Sequence, residues 1–127
     1  MKYLCLVYYS EAQMSQLSQS DWDALNRECM GCGEGLQAGG HLLAGEALLP
    51  TQTATTLRVR DGKLTITDGP FAETKEQLAG FYLLEARDLN AALQLASQIP
   101  PARYGSVEVR PVRELQPQNN ISYTTAD

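Results

Sequence analysis

The chain reads as an α+β domain of the ferredoxin-like kind, a split βαβ pattern on an antiparallel sheet with a β-hairpin inserted. Three observations predict it. Dense β-prone runs alternate with two amphipathic helical stretches, giving the order β-α-β, hairpin, β-α-β. Asp61-Gly62 joins two alternating segments, Thr55 to Arg60 and Lys63 to Thr67, the strongest short-range hairpin signal. Right-handed crossovers then place both helices on one side of a four-stranded sheet.

The elements follow in order. Residues 2–9 (KYLCLVYY) form a strand that is apolar on both faces, Leu4, Leu6 and Tyr8 against Tyr3, Cys5 and Val7. Ser10 to Gln19 is polar and reads as a loop. Ser20 is placed to cap a helix, with Asp21 and Asp23 in the first turn where the dipole favours anions. Trp22, Leu25, Cys29, Cys32 and Leu36 then fall at spacings of three and four, a single apolar stripe. Gly31, Gly33 and Gly35 each weaken that helix by about 1 kcal/mol relative to Ala, so packing compensates or something approaches the backbone there. Gly39 and Gly40 end it.

His41 to Leu49 is a second strand stopped by Pro50, and Gly80 to Ala86 a further one, again apolar on both faces. Asp88 caps a second helix with the stripe Leu89, Ala92, Leu93 and Ala96, closed by Ile99-Pro100-Pro101, and Tyr104 to Val112 is the last strand. Residues 1–115 thus form one domain, and 116–127 a polar, aperiodic tail expected to fray. A sheet face with no helix over it, yet apolar, needs another cover. A homodimer packed through the open face is the expectation.

Composition narrows the classes. The 127 residues carry a net charge of −5, with two basic and six acidic side chains in residues 1–50 and a balance of eight and eight in residues 51–115. No basic stripe exists, which argues against nucleic acid as a partner. No run approaches the roughly 18 apolar residues of a membrane span, and the short apolar N-terminus lacks the features of a signal peptide. Three cysteines without an export signal point to reduced thiols in the cytoplasm.

The segments Met1-Lys2-Tyr3-Leu4, Leu42-Leu43-Ala44-Gly45-Glu46, Thr55 to Lys63, Asp68-Gly69-Pro70-Phe71-Ala72-Glu73-Thr74-Lys75-Glu76 and Arg103 to Pro111 resemble the YCII-related proteins, specifically the branch called the DGPF domain. The resemblance runs from Met1 to about residue 115 and implies a dimeric α+β barrel. It implies little about chemistry, because the wider superfamily includes isomerases, monooxygenases and dehalogenating enzymes. DGPF-type proteins are often encoded beside extracytoplasmic-function sigma factors, which implies a regulatory setting as the alternative. YCII-like relatives carry a proposed catalytic histidine on the first helix. That helix has none here, and the only histidine, His41, opens the second strand, so a His–Asp mechanism does not carry over.

Asp68, Glu73, Lys75, Glu76 and Tyr82 are the polar candidates around the Asp-Gly-Pro-Phe signature. In one reading they edge a pocket between the sheet and the hairpin. Asp68 is then the acid/base and Tyr82 a proton donor, with Arg58, Glu73, Lys75 and Arg103 holding a ligand, anionic for the cations. In the other, Asp68-Gly69-Pro70 is a turn, Phe71 a core plug, the Glu/Lys run a solvated face and Arg103 a structural corner. Cys29-Met30-Gly31-Cys32 lies deep in a helix with both sulfurs on the apolar stripe, favouring core packing over redox or zinc chemistry. His41 is incidental or a proton carrier. Trp22 is read as core, and Glu46 as a sheet-edge carboxylate partnered by Arg58 or Arg110. No metal or organic cofactor is implied. A small-molecule binder or enzyme and a docking protein, with a sigma factor as possible partner, remain as the two classes.

Overall fold

The computed structural model describes residues 1–115; the expected frayed tail, 116–127, lies outside the described residues. The elements run β1 (Lys2–Tyr9), α1 (Glu11–Met14), α2 (Gln19–Ala38), β2 (Leu42–Ala47), β3 (Thr55–Arg60), β4 (Lys63–Asp68), β5 (Gln77–Glu85), α3 (Leu89–Ala96) and β6 (Ser106–Pro111). Short 3-10 turns occupy Thr51–Thr53 and Pro100–Arg103. The main sheet has the order β2-β5-β1-β6 with every neighbouring pair antiparallel, and β3-β4 forms a separate two-stranded sheet. This is the split βαβ arrangement with its hairpin insertion, an α+β ferredoxin-like fold.

The core lies on one face of the sheet. Cys5 stands opposite Tyr82 and Val109, and Tyr3 opposite Leu84 and Pro111. Cys5, Val7 and Leu84 pack with Leu36 of α2, Ala96 of α3 and Ile99, while Tyr3 packs with Ala92 and Ala86. Both helices therefore cover the Tyr3/Cys5/Val7 face. The opposite face carries Leu4, Leu6, Phe81 and Leu83, which stay half-buried with no helix over them.

Several local expectations shift. The stretch read as a loop contains α1, whose Ser10 hydroxyl accepts from the Gln13 amide at 3.3 Å and whose Met14 is buried. One apolar anchor in a polar run suffices to seat a helical turn. The cap of α2 is Ser18, two residues before Ser20, and it accepts from the Asp21 amide at 3.1 Å. The buried face of α3 is rotated from the expected stripe. Ala92 and Ala96 are buried while Leu89 and Leu93 are about half exposed, because the small alanines let the helix sit close to β1 and β6 and leave the bulkier leucines at its flank.

The β3–β4 hairpin has the expected register, with Asp61 and Gly62 both at positive φ (51° and 74°), as a two-residue primed turn needs. Leu57 faces Ile66 and Val59 faces Leu64, so all four share one face. No described element covers that face.

Candidate functional site

The signature folds as an irregular link between β4 and β5. Gly69, at φ +105°, donates its amide to the Ala54 carbonyl at 2.7 Å, and its own carbonyl accepts from the Thr56 hydroxyl at 2.8 Å. Arg58 donates to the Phe71 carbonyl at 3.0 Å. Glu76 accepts from the Ser106 hydroxyl at 2.9 Å, and Gln77 bridges the Thr74 carbonyl and the Glu11 amide. The segment is thus pinned mostly through its backbone. Its side chains point outward. Asp68, Glu73 and Lys75 are exposed, and the Phe71 ring is 73% exposed where the turn reading expected a core plug. The Phe71 carbonyl is held by Arg58 of β3, and the ring joins neither core cluster.

A cavity of about 350 Å³ lies elsewhere, between α2 and the β2–β5 half of the sheet. Its walls include Val7, Tyr9, Trp22, Asn26, Cys29, Gly33 and Tyr82, and its floor Gly45 and Gly80. Of the α2 stripe, Leu36 packs into the core with Cys32 partly buried against it, while Trp22, Leu25 and Cys29, nearer the start of the helix, line the cavity instead. Trp22, expected in the core, instead meets Tyr9 edge-to-face with ring centroids 6.4 Å apart at the cavity wall. The glycines of α2 are not there for a close backbone approach. A Cβ at Gly31, Gly33 or Gly35 would meet nothing within 4 Å, and at Gly33 it would project toward the empty space.

Of the six site candidates, Tyr82 alone lines this cavity. Its phenol pKa is pushed up to about 12, first by burial and then by the neighbouring Cys29 and Cys32. Its hydroxyl has no hydrogen-bond partner among the described residues. Arg103 pairs with Glu28 at 2.6 Å and lies 5.7 Å from the centroid of the Tyr104 ring, clamping the Pro100–Arg103 turn to α2. The other candidates share no hydrogen bond or ion pair with Tyr82 or with one another.

Burial raises the thiol pKa of both Cys29 and Cys32, and the negative charge of Glu28 adds to the effect at Cys29. They are held as thiols rather than as reactive thiolates. Among the described residues no three metal-ligating side chains converge. His41 places Nδ1 3.0 Å from the Glu85 carbonyl and joins β2 to β5. Glu46 is exposed and pairs with neither Arg58 nor Arg110. Its neighbour across the sheet is Phe81, on the uncovered face. Asn26, Met30 and Gly33 escaped sequence reasoning. Gly33 left the clearest signal, a helix breaker retained in mid-helix.

The profile of the YCII-related domain matches residues 1–116. The chain belongs to the YCII-related domain family. An uncharacterized protein of Rhizobium meliloti (strain 1021) is 38% identical over 119 residues, spanning 92% of this chain and 96% of that relative. The α2 of this YCII-related chain presents Cys29 and Asn26 toward the cavity side, with no histidine among its residues. Among the described residues no helix is long and apolar enough to cross a membrane.

Proposed function

We propose that this YCII-related domain binds a small molecule in the cleft between α2 and the β2–β5 half of the sheet, with Tyr82 as its hydrogen-bond or proton donor. The observation that carries this is a cavity wall holding a half-buried phenol with no partner among the described residues. A phenol whose pKa lies near 12 stays protonated at neutral pH, so it serves as a donor to a ligand oxygen and not as a base. Asp68 keeps an acid/base role only if a ligand or a second subunit reaches the exposed signature. Native mass spectrometry of protein purified without added ligand tests the cleft. A dissociable extra mass that disappears in Gly33→Leu supports it, and the same mass retained in that variant refutes it.

A second reading concerns the hairpin. Its Leu57, Val59, Leu64 and Ile66 are exposed by 58 to 65% on one face, with Phe71 beside its base. That much apolar surface on a two-stranded ribbon needs a cover. A second copy of the chain supplies it in this reading, giving a homodimer joined through the hairpin rather than through the open sheet face expected from the sequence. The competing occupant is an extracytoplasmic-function sigma factor. Light scattering on the pure protein separates them: a dimer at micromolar concentration favours self-association, and a stable monomer leaves the face to a different partner.

A further inference from the structure

The cavity beside Tyr82 does not stop at the Tyr9–Trp22 pair. A wider hollow of about 640 Å³ continues past it toward the turn at Thr51. The two share Tyr9, Trp22, Asn26, Ala47 and Ala79 in their walls, so they are compartments of one groove.

The charge in these walls is informative. No Lys, Arg or His lines either compartment, and each has a single acidic residue, Glu46 in the first and Glu11 in the second. Neither carboxylate is available inside. Glu46 stands across from Phe81, whose other neighbour is Leu6, so its side chain belongs to the sheet face turned away from α2. The Glu11 carboxylate accepts from the Thr51 amide at 2.9 Å and the Thr51 hydroxyl at 2.5 Å. A charged ligand head group would therefore lose water and gain no counter-charge, which weakens its binding. What the groove does offer is apolar and aromatic wall with uncharged polar residues: Tyr82 in the first compartment, Tyr9 and Asn26 shared by both, and Ser15, Thr51 and Gln52 in the second. The side chains of Tyr82, Tyr9 and Asn26 hydrogen-bond to no other described residue.

We infer that the groove takes an uncharged, elongated, mostly apolar molecule bearing a hydrogen-bond acceptor such as a carbonyl, with the acceptor at Tyr82 and the tail running past Trp22 into the second compartment. This rests on the cleft being the binding site and names the class of its ligand. It also departs from the anion expected when Arg58 and Lys75 were the sequence candidates. Asn26, at the junction, supplies a second polar contact for a ligand with a mid-chain hydroxyl or ether.

The test is a titration with straight-chain alkan-2-ones from hexanone to dodecanone, against carboxylates of matched length. It is read on the indole N–H resonance of Trp22, the only tryptophan in the chain. Ketone affinity is expected to rise about fourfold per added methylene through the series. The carboxylates should bind at least about tenfold more weakly, the cost of an unpaired charge. Tyr82→Phe should weaken every ketone by about fivefold, the worth of one hydrogen bond. Gly33→Leu should abolish binding, and Gly31→Leu, whose position does not line the groove, should leave it intact. Affinity that stops rising at the shortest ketones overturns the two-compartment ligand. Carboxylates that bind as well as ketones overturn its neutrality. In both cases the cleft survives as a binding site. An indole resonance unmoved by every probe sinks the cleft reading and this inference together.

Discussion

The main sheet and the β3–β4 hairpin are written in the same code and end in opposite environments. In β1, alternate residues Tyr3, Cys5 and Val7 are at most 3% exposed, because α2, α3 and Ile99 close over them. In the hairpin, alternate residues Leu57, Val59, Leu64 and Ile66 share a face just as cleanly and are all more than half exposed. Alternation fixes which residues lie side by side. It carries no information on what comes down on top of them, which depends on a third element or a second molecule.

Four measurements sharpen or break that contrast. Leu84→Ala should give the largest effect, a loss of about 2–5 kcal/mol in chemical denaturation that does not vary with protein concentration, since Leu84 is fully buried within one chain. A loss under 1 kcal/mol would mean that the covered face is much looser than its burial implies.

Next in size is an alkaline transition that belongs to the sheet alone. Burial pushes the Cys5 thiol up to about 11 from an ordinary value of 9.0. The unfolded chain therefore ionises first as pH rises. The stability tied to Cys5 is complete below pH 9 and is lost on the way to pH 11, up to about 3 kcal/mol. Cys5→Ala should flatten stability-versus-pH curves in that window, and an unchanged slope would remove Cys5 as the cause. Tyr82 extends the same decline between its ordinary value of 10.0 and about 12.

Third, under the proposal that a second copy covers the hairpin, the double change Leu57→Asp with Ile66→Asp should turn a dimer into a monomer in light scattering, and it should leave the thermal midpoint of dilute protein within a few degrees. A midpoint that collapses in dilute protein would show the hairpin to be part of the core after all.

The smallest effects are local to the hairpin. Gly62→Ala forces a side chain into positive φ, and Thr56→Ala removes the hydroxyl bond to Gly69. Each should cost about 1 kcal/mol. Amide exchange should speed up between residues 55 and 71 and stay unchanged in β1. Uniform acceleration across the chain would couple the two regions.

The architecture was legible because its signals are local. Asp61-Gly62 specifies a turn by backbone chemistry, Asp88 caps α3 by accepting from the Ala91 amide at 2.9 Å, and the two-faced runs of β1 and β5 fall at the centre of the sheet. The groove was not legible. It is set by how α2 lies against the sheet, with Leu36 reaching the core while Leu25 and Cys29 line the groove and Trp22 turns to Tyr9. No spacing along the chain encodes it. The signature drew attention to Asp68 because it is dense in ionisable groups, yet its density serves a backbone-pinned link whose side chains face solvent. Tyr82 sits at the end of the same stretch but is aimed to the other side by the two-residue alternation of β5.

The ten glycines divide this protein by how freely it can mutate. At Gly105 an added Cβ would lie 1.9 Å from the Tyr8 carbonyl oxygen, and at Gly80 2.6 Å from that of Glu46. Both neighbours are backbone atoms that cannot step aside. At Gly31, Gly33 and Gly35 the same atom would meet open space, on a helix that gains from any other residue but proline. In a saturation library the first two positions should behave as lethal sites and the other three as permissive ones. Of those three only Gly33 borders the groove, so among its folded variants retained stability and retained binding should part company.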